Sequence, residues 1–265
     1  MLEHLLSDEL MKRQFGPQSE VGDKSIYLAE MPRITIQTGG PNVGKVSLNI
    51  RYFGNNLLSA EKFSEYYYTS HELKMAARRK NNNLPEKPNR VTFKDTEQFF
   101  TKVFKLNEHR EFNNVIFCGG EPLLWQLEVA KAIRLSSEQF DQRSLTYEIE
   151  TNGTMPVEPE ISDWIKRSHI NIRPNLEVVK GFPLVAQLTN HRSSRQKGVE
   201  WTHFEHKSWV VIFDYNDNIE QIDEFVERYK LSKDKIFLES KENPLECISV
   251  CIQNGYRHSP SLELL

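Results

Sequence analysis

The sequence predicts an α/β fold, an incomplete (βα) barrel with parallel strands, on three observations. Short apolar runs alternate with amphipathic helical stretches along most of the chain, the rhythm of βα units joined by right-handed crossovers. Two of these runs stop abruptly at polar, glycine-containing loops: Val115-Ile116-Phe117-Cys118 at Gly119-Gly120-Glu121-Pro122, and Tyr147-Glu148-Ile149-Glu150 at Thr151-Asn152-Gly153-Thr154. A strand buried in a parallel sheet reads this way when its C-terminal loop carries chemistry. Finally, 265 residues with 38% hydrophobic content suffice for one large domain or a domain with an appendage.

Composition excludes some classes of function. A formal net charge of −3 gives no global drive toward nucleic acid or an anionic membrane. No apolar run approaches the roughly 18–20 residues needed to span a bilayer. The segment Met1–Glu9 lacks a basic stretch followed by a long apolar core, so no secretory signal is expected. Three cysteines, Cys118, Cys247 and Cys251, make no disulfide framework, and the expectation is a protein of the reducing cytoplasm.

Residues 1–30 read as an N-terminal arm, with a short amphipathic stretch at Leu2–Met11, and residues 31–265 as the barrel domain. Ile34–Gln37 alternates as a strand, Thr38–Gly44 is dense in turn formers, and Val46–Phe53 alternates again. That pattern predicts a hairpin with Val46, Leu48, Ile50 and Tyr52 on one face. Residues 65–90 are polar and hold Tyr66-Tyr67-Tyr68 before His71, Lys74, Arg78 and Arg79, which suits a short basic helix or a solvated loop insertion. Thr92–Glu108 reads as a helix capped by Thr92 or Asp95, with Phe93, Phe99, Phe100, Val103, Phe104 and Leu106 as its apolar stripe.

The βα rhythm then continues. Leu123–Ser136 is predicted as a helix with Leu127, Val129, Ala130 and Ile133 inward, followed by a strand at Ser144–Glu150 and a helix at Ile161–Arg167. His169–Leu176 reads as strand and loop, and residues 181–207 as a second loop insertion, basic in character, with His203 and His206 as surface histidines. Ser208–Phe213, Ile219–Tyr229, Lys235–Glu239 and Leu245–Asn254 complete the alternation, with Ile222, Phe225 and Val226 inward and Gly255 as the final C-cap. Cys247 and Cys251 fall on the apolar face of that last helix and Cys118 at a strand end, which suits buried free thiols better than a substitute metal site.

The segments Gly119-Gly120-Glu121-Pro122-Leu123-Leu124 and Glu150-Thr151-Asn152-Gly153-Thr154 resemble the corresponding segments of radical S-adenosylmethionine (SAM) enzymes, most of all the 7-carboxy-7-deazaguanine synthases of queuosine biosynthesis. The resemblance runs from about Ile34 to Leu265 and implies a partial barrel of the radical SAM type, with dimers in the family. It implies a small-molecule site, for a SAM-, purine- or pterin-like ligand, at Gln37, Arg51, Gly119, Gly120, Glu121, Pro122, Glu150, Thr151 and Asn152. Such enzymes hold a 4Fe–4S cluster on three cysteine thiolates, leaving one iron open for SAM. The matching positions here are Asn55, Ser59 and Lys62, none of which supplies a soft thiolate.

Further departures from the family pattern are Gly39 for an acidic turn residue, Phe63-Ser64 for an Asp-Thr pair, Arg173 and Asn175 for a serine and a lysine that face SAM, and Ser261 and Glu263 near the end. The expectation is therefore a degenerate synthase-like protein without the cluster or the radical chemistry, with no confident catalytic residue and no metal. Two other readings stand beside it. One is an interaction or nucleic-acid-associated module working through basic segments 71–90 and 191–207; the other is an active synthase-like lyase with an atypical cluster.

Overall fold

The computed structural model describes residues 26–53, 91–104, 112–139, 145–153, 155, 157, 161–174, 176, 209–216 and 218–260. The arm stretch Leu2–Met11, positions Asn55, Ser59 and Lys62, Ser64, Asn175, Ser261, Glu263 and both basic segments lie outside the described residues. Ten strands form one sheet among those residues. In chain order they are β1 (Ile26–Leu28), β2 (Arg33–Ile36), β3 (Val46–Tyr52), β4 (Val91–Phe93), β5 (Asn114–Gly119), β6 (Thr146–Thr151), β7 (Ser168–Ile172), β8 (Trp209–Asp214), β9 (Ile236–Glu239) and β10 (Arg257–His258).

From β3 through β5, β6, β7, β8 and β9 to β10 every neighbour is parallel, whereas β1, β2 and β4 attach antiparallel at the β3 end. Among the described residues no ladder joins β10 back to β3, and the sheet is open there. Helices α1 (Thr96–Val103), α2 (Gln126–Gln139), α3 (Ser162–Ile165), α4 (Ile219–Arg228) and α5 (Pro244–Asn254) occur in the connections. The mainly parallel α/β sheet of the sequence reading is present.

Strand alternation sets up two unlike faces. One carries Leu48, Ile50, Tyr52, Val115, Phe117, Tyr147, Ile149, Ile170, Ile172, Val211, Phe213, Ile236 and Leu238, which join helix residues such as Val129, Ile133, Ile222 and Phe225 in the main hydrophobic core. The opposite face carries Ser47, Asn49 and Arg51 on β3, Asn114 and Cys118 on β5, and Glu148 and Glu150 on β6. On that side, among the described residues, Val210 and Ile212 of β8 and Phe237 of β9 make an apolar cluster.

The buried polar groups of this inner face pair with each other across strands. The Glu148 carboxylate accepts from Asn114 Nδ2 at 2.6 Å and from Asn171 Nδ2 at 2.8 Å. Asn114 also reaches Ser47 Oγ at 3.0 Å, and Thr146 Oγ1 donates to Asn114 Oδ1 at 2.7 Å. Burial pushes the Glu148 carboxyl up, while hydrogen bonds from Asn171, Asn114 and Asn42 pull it back. The network ties β3, β5, β6 and β7 together through side chains as well as ladders.

Several elements differ from the sequence reading, each for a physical reason. Thr92 lies in β4, paired with β1, and the helix starts only at Thr96. Asp95 is its cap, accepting from Gln98 N at 2.8 Å. Ile26–Leu28, expected within the arm, forms β1 because β3 and β4 supply its partners. The predicted helix from Leu123 is split into a 3₁₀ turn, Pro122–Trp125, and α2. Leu127 is exposed rather than inward, and Ala132 is buried on that helix instead. Gly255 caps α5 as predicted, in the left-handed conformation at φ 73°.

Phe117 is fully buried, packed near Tyr52 at 6.4 Å between ring centroids. Its replacement by alanine is expected to cost about 3–5 kcal/mol, measured by urea unfolding. Leu245→Ala, on the exposed side of α5, is expected to stay within about 0.5 kcal/mol of the wild type in the same measurement.

Candidate functional site

A cavity of about 450 Å³ opens over the inner face, chiefly at the C-terminal ends of the parallel strands. That end of a βα barrel is where active sites are built, because the loops there are free to vary without disturbing the core. Gln37 and Thr38 come from the β2–β3 turn, Asn49 and Arg51 from β3, Ile116 and Cys118 from β5, and Glu150 from β6. Arg173 follows β7, Asp214 ends β8, Glu239 ends β9, and Asn216, Ser240, Lys241 and Glu242 form part of the rim.

The centre of the cavity is an ion cluster. Arg173 grips Glu239 with both terminal nitrogens: Nη1 to Oε1, and Nη2 to Oε2 at 3.2 Å. Its Nε lies 3.8 Å from Glu150 Oε1, and Gln37 Nε2 donates to the same oxygen at 3.4 Å. Burial works against the guanidinium charge, but the carboxylates of Glu150 and Glu239 outweigh it and raise its pKa further. The Asp214 carboxyl is pushed up by burial and by Glu239, its register partner on the next strand. Three carboxyl groups, a fixed guanidinium and amide donors can hold a polar ligand and move protons on it.

Arg51 reaches toward Glu30, with 3.5 Å between Nε and Oε1. The Cys118 thiol donates to Asn49 Oδ1 at 3.0 Å, and burial, followed by the Glu150 charge, pushes it up to about 12. It is therefore a protonated, weakly reactive thiol. Cys247 and Cys251 are buried in the core on the helix side of the sheet, whereas Cys118 faces the cavity. The sheet separates them, so the substitute cluster weighed from composition cannot assemble. Among the described residues no group of three or more His, Cys, Asp or Glu side chains is placed to hold a metal ion.

The other residues expected at the ligand, Gly119, Gly120, Glu121, Pro122, Thr151 and Asn152, do not line the cavity. Glu121 is fully buried and its carboxylate is shared between two loops. Leu123 N donates to Oε1 at 2.9 Å, Asn152 N to Oε2 at 2.8 Å, and the Thr151 hydroxyl lies within 2.9 Å of both oxygens. A ligand could reach this carboxylate only by breaking the bracket. Pro122 is buried at the start of the 3₁₀ turn that Glu121 caps. Gly119 sits at φ 120°, and a Cβ there would come within 2.2 Å of the Tyr52 carbonyl oxygen. Gly120 N donates to that same carbonyl at 3.3 Å. These glycines let β5 leave the sheet flush against β3.

Asp214 and Glu239 escaped the sequence reading as site residues. The signal that could have found them is positional: each ends an apolar run, Val210–Phe213 and Ile236–Leu238, as Glu150 ends its own strand run.

No family model matches this chain, and no curated protein matches it in sequence. Among solved structures, the crystal structure of QueE from Escherichia coli superposes with a TM-score of 0.56 at 14% sequence identity, covering 89% of this chain and 94% of that one. At this identity the likeness shows the fold alone, an incomplete (βα) barrel with a mostly parallel sheet. No helix among the described residues is long and apolar enough to cross a membrane.

Burial pushes the Glu121 carboxyl up to about 7, with the bonds from Leu123, Asn152 and Thr151 pulling it back only in part. A carboxyl raised in the folded state contributes stability that is fully present below about 4.5 and is lost as pH rises through about 7. Wild-type stability is therefore expected to carry a component that falls across that window and is missing from Glu121→Gln. The amide also turns a donor toward a backbone N–H in either orientation, at a cost of about 1–3 kcal/mol at neutral pH. Denaturant titrations at several pH values measure both effects.

Proposed function

We propose that this chain is a degenerate 7-carboxy-7-deazaguanine synthase-like protein, which keeps the ligand cavity of its fold without the radical chemistry. The observation that carries the reading is the loss of sulfur at Asn55, Ser59 and Lys62 in a chain that retains the cavity at the strand ends. Reductive cleavage of SAM needs an electron delivered through a 4Fe–4S cluster, and iron of that kind is held by thiolates. Amide, hydroxyl and ammonium groups do not replace them.

The ligand proposed is a small polar heterocycle, of purine or pterin type or an adenosyl compound. Gln37, Arg51 and Glu150, which the family resemblance assigns to the ligand, all line the cavity. Arg173 and Glu239, paired with each other, line the cavity beside them, as does Asp214. Polar groups converging in a cavity of several hundred Å³ fit recognition of one small molecule.

Anaerobic reconstitution of the purified chain with iron and sulfide is expected to give no stoichiometric cluster absorbance, and incubation with SAM and a reductant no 5′-deoxyadenosine. Either product would end the reading of lost radical chemistry. A thermal-shift panel of SAM, S-adenosylhomocysteine, pterins and guanine derivatives is expected to contain a ligand that raises Tm in a concentration-dependent way. A ligand at about 100 times its Kd adds about 2.7 kcal/mol to folding stability. A flat panel would count against ligand binding.

A further inference from the structure

The Arg173 guanidinium lies between two carboxylates inside the cavity, held by Glu239 through both terminal nitrogens and 3.8 Å from Glu150 through Nε. Guanidinium does not deprotonate in proteins, so this cation leaves only by moving its side chain. The backbone opposite is shaped around the pair. A Cβ on Gly39 would fall 2.6 Å from Glu239 Oε2 and 2.8 Å from Arg173 Nη2, closer than real side chains approach. Gly39 is not in a left-handed conformation, and both atoms end flexible side chains, so a methyl group there would have to push the tip of Arg173 or Glu239 aside.

The β2–β3 turn is tied down on either side of that contact. Gln37 Nε2 donates to Gly39 O at 3.0 Å, and Gly40 N donates to Ser259 Oγ at 2.7 Å. Turn, guanidinium and carboxylates thus form one packed unit over the cavity floor.

We infer that Arg173 is the specificity-determining residue of this cavity: its guanidinium is a built-in occupant of the seat a cationic ligand would take between Glu150 and Glu239. The cavity therefore selects neutral or anionic ligands and rejects cationic ones, sulfonium and ammonium compounds included. Two effects produce this. The seat is filled, and a second cation nearby would meet the like charge of Arg173. Asp214 lies beside Glu239, its register partner on the next strand, with Lys241 also on the lining of the cavity. The functional meaning of the inference rests on the ligand-binding reading proposed above, which it narrows by setting SAM apart from the neutral candidates.

The test needs no natural ligand. Arg173→Ala empties the seat, and methylguanidinium chloride at millimolar concentration is the probe, with N-methylurea as its neutral analogue. The expected result is a lowered Tm in the variant that methylguanidinium restores saturably and N-methylurea does not, with no such response in the wild type. Equal responses of variant and wild type, or of the two probes, would overturn the inference.

A second measurement covers an alanine variant that fails to fold. Gly39→Ala should lower Tm more in the wild type than in an Arg173→Gln background, where the clash at Nη2 is gone and Glu239 is released; equal losses would overturn the inference as well. A flat ligand panel with a successful rescue would instead sink the ligand-binding reading and leave the placement of Arg173 standing.

Discussion

Each parallel strand of this sheet must satisfy two unlike surroundings at once, and the rest of the structure follows from that constraint. On the helix side, Phe117, Ile149, Ile172 and Leu238 lose their water to an apolar layer, which supplies the main driving force for folding. On the inner side the same strands present Cys118, Glu148, Asn171 and Glu239. Buried polar atoms are tolerated only with partners, since a lost hydrogen bond in the interior costs more than a satisfied one contributes. The inner face therefore becomes a cross-strand network below, centred on Glu148, and an ion cluster above, centred on Arg173.

The open side of the barrel gives the upper cluster a structural task as well. Among the described residues no ladder runs between β10 and β3, and the β2–β3 turn and side chains bridge that gap. Gly40 bonds Ser259 just beyond β10, Gly39 packs on Arg173 and Glu239, and Gln37 spans to Glu150. Closure of the barrel and the shape of the cavity are thus one set of contacts. Few residues need change for such a scaffold to exchange one chemistry for another, because its apolar layer is untouched by substitutions at the strand ends.

Much of the architecture was legible from pattern. The parallel βα alternation, the β2–β3 hairpin, Asp95 as a cap and Gly255 as a C-cap all follow from local rules of period and capping. Errors arose where distant partners override those rules. Thr92 joined a strand because β1 was there to pair with it, and Ile26–Leu28 became a strand for the same reason. Leu127 lies outward because the buried face of α2 runs through Gln126, Val129, Ile133 and Ser136, and the next residue after Gln126 is turned about 100° away from it.

The cavity was legible only in part. Gln37, Arg51 and Glu150 could be singled out by motif, whereas Asp214 and Glu239 look from sequence like ordinary strand ends. Glu121 shows the converse. A glutamate after two glycines reads as a ligand contact, yet its two oxygens are engaged by Leu123, Thr151 and Asn152. The sequence by itself determined the periodicity of each strand, and with it the barrel class, and the absence of thiols at Asn55, Ser59 and Lys62, since these are matters of residue type and spacing. Only the tertiary structure decided which carboxylates meet Arg173 and which are consumed in bracing loops, because that depends on strand register and curvature bringing together residues as far apart as Gly39 and Glu239.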